Sequence, residues 1–286
     1  MPFLYLYICV PAAIMKPYLK QITSLIIIIF NCNLFAYENY LAGSRFAAMS
    51  GCGVSIPDNW SVSYNQAGLA YLEKPSVGLY HENRFMMKEL GLSSFSGILP
   101  VKPGTFGFSY NYFGFSLYHE DKFGLSFGKK LGKNFAAGLQ LDYFRSYVSG
   151  LDNHNPKITF ELGLLSFPTE NLAIGVHVFN PLPENPGIGK DIQLPSSFEL
   201  GLAYTLQNKI ILAAESEKEF SQDLILKFGI EYLPVSQLAL RMEISSDPSQ
   251  YSFGVGYRTK RFWTNLAFSN HLVLGLTPGV EFGMFF

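Results

Sequence analysis

The sequence is short of charge: Asp, Glu, Lys and Arg make up 15% of 286 residues, and 22 acidic against 21 basic side chains leave a net charge of -1. Such a chain has no basic excess for a phosphate backbone, so nucleic acid is not expected as a partner. Long apolar runs are scarce too. After residue 40 none approaches the roughly 20 residues of a membrane-spanning helix, so any bilayer crossing there must be made by strands. Of three cysteines, Cys9 and Cys32 precede residue 36. Cys52 is then alone, set among glycine and alanine, and reads as a small buried apolar residue rather than a disulfide partner or reactive thiol. The histidines, His81, His119, His154, His177 and His271, are scattered, and none sits in a nucleophile or metal-ligand motif. The glycines follow strand parity rather than a phosphate loop. No enzymatic activity, metal or cofactor is expected. No linker rich in proline, serine or charge divides the chain, which suggests one large domain.

What is abundant is aromatic and small: 26 Phe, 17 Tyr and 26 Gly. This balance suits strands and membrane interfaces.

Residues 1–36 read as a leader. From Met15 the chain runs MKPYLKQITSLIIIIFNCNLFA. Lys16 and Lys20 precede the apolar run Leu25 to Phe30, and Leu34-Phe35-Ala36 forms a cleavage site, the pattern of a secretory signal peptide. Residues 1–14 carry no charged side chain, which fits an over-extended start with Met15 as initiator; a retained anchor helix is the rival reading. Ile29-Phe30-Asn31 before Cys32 lacks the small residues of a lipoprotein box, so no lipid anchor is expected.

From residue 75 onward the apolar positions alternate. Phe106, Phe108, Tyr110 and Tyr112 share one face, with Thr105, Gly107, Ser109 and Asn111 on the other. The same period returns at Phe123, Leu125 and Phe127, at Phe135 to Tyr143, at Ile158 to Leu164, at Leu172 to Val178 and at Leu200 to Leu206. It continues at Leu224 to Tyr232, Leu238 to Ile244, Tyr251 to Tyr257 and Val280 to Phe286. Asn180 to Pro195 holds four prolines and reads as a loop. With less regular segments at 75–84, 91–100, 209–219 and 261–270, the pattern predicts a transmembrane antiparallel β-barrel of about fourteen strands over 75–286. A soluble sandwich also alternates, but it turns charge to water. Here the second face is mostly Gly, Ser and Ala, and the first is heavily aromatic. An integral protein of the bacterial outer membrane, in contact with its lipid, is expected.

Apolar-out parity sends Glu161, His177, Glu199, Lys227, Glu231, Arg241, Glu243, Arg258 and Glu281 into the lumen. A hairpin turning at Pro234 and Val235 would set Lys227 opposite Glu243, with Arg241 and Glu231 close by. Both signs are present. They fit a charge-paired network that rigidifies a narrow barrel better than a polar constriction on a permeation path, since single-sign rings are what select ions.

One stretch does not alternate. Gly43 to Tyr71 begins with small residues, too few bulky ones to form a core of its own, and residues 37–74 are expected to be a hatch in the barrel mouth. Gly43-Ser44-Arg45, Ala48-Met49, Gly51-Cys52-Gly53-Val54, Asp58, Trp60-Ser61 and Asn65-Gln66-Ala67-Gly68-Leu69-Ala70 resemble the amino-terminal signature of the FadL superfamily of outer-membrane barrels, especially its PorV/PorQ branch. Leu194 to Tyr204 is similar to a recurrent strand entry of that group. Gly279 to Phe286, with Phe282 and the terminal Phe286, resembles the signal that the outer-membrane assembly machinery pairs with.

The resemblance implies a fourteen-strand barrel with an N-terminal hatch on the periplasmic side. It also implies two functions: partnership with a translocon in type IX secretion or surface attachment, or passage of hydrophobic small molecules. Gln66 stands where the group has proline, loosening a rigid turn, and the loops are short for an extracellular ligand platform. Both departures favour the secretion partner, with transport as the alternative. The hatch reading predicts that Arg45 or Asn65 hydrogen-bonds within the lumen, to Glu281 or Glu161.

Overall fold

The structure, a computed structural model, describes residues 40, 42–150, 156–182, 194–220, 222–246 and 250–286. The expectations for the leader, Met15 and the cleavage site fall outside the described residues, as do Cys9, Cys32 and His154.

Fourteen strands follow one another: β1 Ser76–Asn83, β2 Gly91–Val101, β3 Gly104–Phe115, β4 Tyr118–Lys130, β5 Phe135–Val148, β6 Lys157–Thr169, β7 Leu172–Phe179, β8 Ser197–Leu206, β9 Ile210–Glu219, β10 Ile225–Val235, β11 Leu238–Ser245, β12 Gln250–Arg258, β13 Phe262–His271 and β14 Gly275–Phe285. Each pairs antiparallel with its sequence neighbours, and β1 pairs with β14 to close the barrel. Closure leaves no free sheet edge, which is what lets strands cross a bilayer with every backbone group satisfied. The ladder from β1 through β4 runs without a register shift. Among the described pairings, shifts occur only near two hairpin ends, between Ser166 and Thr169 and between Tyr232 and Val235.

The alternation seen in the sequence becomes inside and outside. Phe106, Phe108, Leu125, Leu139 and Leu141 point outward and are exposed, while Gly107, Ser109, Ser126 and Gln140 point inward. The first and last strands enter and leave at the same end, with Ser76 facing Phe285. Strands join there through short turns, Lys102–Pro103 and Ser236–Gln237 among them, whereas the opposite end carries longer connections, 84–90 among them. Short turns mark the periplasmic side.

Residues 42–72 lie in the lumen. They form helix α1 (Ser44–Ala47), helix α2 (Ser61–Tyr64) and a 3-10 helix, Gln66–Tyr71. Phe46, Met49, Trp60 and Leu69 are fully buried. At the extracellular end the Tyr40 hydroxyl donates to Glu120 Oε2 at 2.6 Å and its ring stacks on Phe113. At the periplasmic end Tyr71 packs edge-on against Phe167. The wall is carved to admit this backbone. A Cβ at Gly138 would lie 2.2 Å from the Gln66 carbonyl carbon, and one at Gly163 only 2.1 Å from Asn65 Oδ1. Only glycine tolerates so close an approach.

The expected turn at Pro234 and Val235 is corrected. Both residues belong to β10, and the chain turns at Ser236–Gln237. Moving the turn slides the register, so Lys227 faces Ser245, Glu243 faces Gly229, and Glu231 faces Arg241. Pro234, which cannot donate to a ladder, sits where the register shifts.

Candidate functional site

Three clusters of charged groups among the described residues of the lumen join the wall to the N-terminal segment, alongside the Tyr40–Glu120 contact and the bonds of Asn59 to Ser76 and Ser96. The first surrounds Arg45, which α1 presents to β10. Its Nε and Nη2 donate to Glu231 Oε2 and Oε1 at 2.9 and 2.7 Å, and Nη1 donates to Asp58 Oδ2 at 2.7 Å. The Arg45 backbone N–H donates to Glu281 Oε2 at 3.3 Å. Glu231 also takes Arg241 Nε at 2.6 Å, and Arg241 Nη1 reaches Asn265 Oδ1 at 2.8 Å. Burial works against the Arg45 charge, but Glu231 and Asp58 outweigh it and hold the guanidinium above its ordinary pKa. Glu281 Oε1 accepts from Trp263 Nε1 at 2.5 Å.

Asp58 and Asn65 shape the segment itself. Asp58 Oδ1 accepts the Trp60 N–H at 3.2 Å, and the Asp58 N–H donates to Ser61 Oγ at 3.0 Å, which fixes the entry to α2. Asn65 caps the 3-10 helix, its Oδ1 accepting the Ala67 N–H at 3.1 Å. Its Nδ2 donates to the carbonyls of Val54 and Leu164 at 2.7 and 2.9 Å, so one amide ties two parts of the segment to β6. Gly68 allows the turn to close, since a Cβ there would sit 2.5 Å from Ser61 Oγ.

The second cluster centres on Glu161. Gln66 Nε2 donates to Glu161 Oε2 at 2.5 Å and Lys122 Nζ to Oε1 at 2.6 Å. His177 lies between carboxylates, with Nε2 at 3.0 Å from Glu161 Oε2 and Nδ1 at 3.2 Å from Glu199 Oε2. Asp142 completes the group, 3.7 Å from Lys122 Nζ. The expected contact of Asn65 with Glu161 is thus made by its neighbour: Gln66 supplies the buried donor, while Asn65 goes to backbone carbonyls.

In the third cluster Lys227 Nζ pairs with Glu217 Oε2 at 2.6 Å and Glu215 Oε1 at 3.3 Å, and the Val54 N–H donates to Glu215 Oε2 at 3.1 Å. Lys227 therefore bonds across to β9 rather than to Glu243, which is buried on the same inner face. Arg258 is also corrected. It has inward parity, but it ends β12 and is exposed at the periplasmic rim, its guanidinium 4.8 Å from the Phe285 ring centre. Lys122, Asp142 and Glu215 are wall groups the sequence reading did not single out. All three lie on the inward parity of their strands, and that parity was their available signal.

A cavity of about 450 Å³ opens at the periplasmic mouth beside the first cluster, lined by Arg45, Asp58, Glu231, Arg258, Trp263 and Phe285 among others. That volume lies within the range of small-molecule sites. Above it, cations and anions pair with one another, so the clusters fasten the N-terminal segment rather than present a ring of one sign. On the outer surface of the barrel Phe282 and Phe286 are 52% and 68% exposed, and the Phe286 N–H donates to the Pro75 carbonyl at 2.9 Å.

A closed fourteen-strand barrel, apolar outside and occupied by its own N-terminal segment, is an integral outer-membrane barrel of plugged type. No family model and no curated protein matches the chain. Solved structures do. The CymD monoaromatic hydrocarbon channel superimposes with a TM-score of 0.66 at 11% identity, over 88% of this chain and 99% of that one. The Pseudomonas putida toluene transporter TodX gives 0.66 at 14% identity over 88% and 99%. A Pseudomonas aeruginosa FadL homologue gives 0.62 at 13% identity over 88% and 98%. At these identities the likeness is one of fold.

Proposed function

We propose that the chain passes small hydrophobic molecules across the outer membrane, with residues 37–74 acting as the hatch of a barrel formed by 75–286 after removal of a leader at 1–36. The observation that carries this reading is the course of the N-terminal segment, which runs through the lumen from Glu120 near the extracellular end to Phe167 near the periplasmic end. It is held by packing of Phe46, Met49 and Trp60 and by hydrogen bonds from Arg45, Asn65 and Gln66 to the wall, with no covalent tie to the strands it crosses. The names of the fold neighbours, channels and transporters of hydrocarbons, support transport over the secretion-partner role that the sequence favoured. Surrounding lipid and the hydrophobic solute are then its partners, together with the assembly machinery acting on the β14 edge that ends at Phe282 and Phe286. The test is uptake of a labelled monoaromatic hydrocarbon by cells that gain the chain. Uptake above that of cells with an empty vector is expected, and equal uptake would overturn the reading.

A specific observation favours a second reading. The wall is closed and the described lumen is occupied by the N-terminal segment and the charge pairs that fasten it, which suits a PorV/PorQ-like barrel whose outer surface serves a type IX secretion translocon. Gentle purification separates the two. Co-purification with a translocon and no solute uptake would favour the partner.

A further inference from the structure

We propose that the outer face of β1, β2 and β3 holds an acyl chain of an anionic glycerophospholipid from the periplasmic leaflet, with its phosphate met by Lys102 and Lys129. The lipid-facing belt is broken there by a groove of about 360 Å³, lined by Val77, Gly97, Leu99, Phe106, Phe108 and Phe286 among others. Its floor is Gly97. In register Gly97 lies between Val77 and Phe108, at an outward position that Phe95 and Leu99 fill one step to either side.

The inward glycines explain themselves, because a Cβ at Gly138 or Gly163 would strike the N-terminal segment. Gly97 has no such reason. A Cβ there would meet only the Phe95 ring, at 3.5 and 3.7 Å, which is ordinary contact. The protein leaves this space where a side chain would fit, and the medium facing it is hydrocarbon. Between apolar surfaces inside a bilayer there is no hydrophobic gain, so shape and close packing decide what lodges there.

Charge selects the headgroup. Leu99 and Phe106 belong to strands joined by the turn that carries Lys102, which is exposed at the periplasmic end. Phe106 packs on Phe127 at 4.9 Å between ring centres. Lys129, also exposed, lies two residues further along the same outward face of β4, about 7 Å nearer the periplasm. Lys74 and Lys130 add positive charge at this end, against Glu73. Clustered lysines beside a membrane surface attract anionic lipid.

The test is native mass spectrometry of the full chain, extracted in mild detergent and offered phosphatidylglycerol or phosphatidylethanolamine. One phosphatidylglycerol is expected to remain bound, with phosphatidylethanolamine held several-fold less. Gly97→Leu fills the groove and is expected to cut retention at least tenfold while the barrel keeps its heat-modifiable migration. Should that variant fold poorly, the double change Lys102→Glu and Lys129→Glu, confined to exposed positions, is expected to abolish the preference for phosphatidylglycerol. Equal retention of both lipids by the unaltered chain would overturn the proposal. So would full retention by a folded Gly97→Leu barrel, an unchanged preference in the double variant, or displacement of the lipid by an aromatic hydrocarbon at equal concentration.

Discussion

Arg45 and Glu231 meet in a two-point fork, Nε to Oε2 at 2.9 Å and Nη2 to Oε1 at 2.7 Å, although 186 residues separate them. One end belongs to the segment inside the barrel and the other to its wall. A planar guanidinium matches a carboxylate in this way and an ammonium does not. The Arg45→Lys variant is therefore expected to behave more like Arg45→Leu than like the unaltered chain. Removing one partner of a buried pair costs about 3 kcal/mol. Both variants should lower the unfolding midpoint in detergent and open residues 42–72 to limited proteolysis from the periplasmic side. A midpoint unchanged in both would refute the latch.

Gln66 stands where the signature that the sequence resembles has proline, a difference expected to loosen a turn. The structure gives the residue a partner, Glu161 Oε2, to which Gln66 Nε2 donates at 2.5 Å. Gln66→Pro is expected to weaken the protein by removing a donor from a buried carboxylate, by roughly 1 to 3 kcal/mol. Gln66→Asn, too short to reach, should fall in the same range. Chemical unfolding of the two variants in one detergent checks this; a Gln66→Pro barrel more stable than the original would show that turn rigidity outweighs the hydrogen bond.

Gly163→Ala is expected to force Asn65 away from the wall, because the new Cβ would start 2.1 Å from Asn65 Oδ1. Overpacking of this kind costs about 1 to 3 kcal/mol. Gly97→Ala, on the lipid side, should be neutral within about 0.5 kcal/mol. Measuring the two together isolates the effect of the enclosed segment, and equal midpoints would mean that its backbone does not press on the strands.

Cys52 is buried, and burial raises its thiol pKa from the ordinary 9.0, with the nearby Glu215 charge raising it further. A thiol raised in this way stays protonated when the solution passes pH 9, while the same thiol in the unfolded chain ionises. Its stabilising contribution is thus full below pH 9 and declines above it. With Cys9 and Cys32 changed to Ser, maleimide should label Cys52 only after unfolding, and Cys52→Ala should flatten the loss of stability between about pH 9 and 11. Rapid labelling of the folded barrel would count against the packing described.

The barrel was legible because membrane strands write their two faces into the sequence: Phe106, Phe108 and Tyr110 against Gly107, Ser109 and Asn111. Register was less so. It depended on whether the chain turns at Val235 or at Ser236–Gln237, and that choice decided the neighbours of Lys227. Parity also says nothing of depth, which is why Arg258 emerged at the rim. Lys122, Asp142 and Glu215 could have been read from alternation alone. The bond of Glu215 to Val54, and the link of Lys122 to Gln66 through Glu161, could not, since they depend on how a non-repeating segment lies across the strands.

The seam between β1 and β14 joins strands from opposite ends of the barrel sequence, and it directly follows the enclosed segment in the chain. This imposes an order on folding. The segment, which precedes every strand in the chain, is enclosed only when the seam shuts, since a shape fitted to Gly138 and Gly163 does not slide lengthwise into a closed tube. The growing sheet must fold around it as a mould around a core, and the slow, long-range seam sets the end of the process. A chain stalled at that step would hold its inner segment in an open trough, visible to proteases along one whole side.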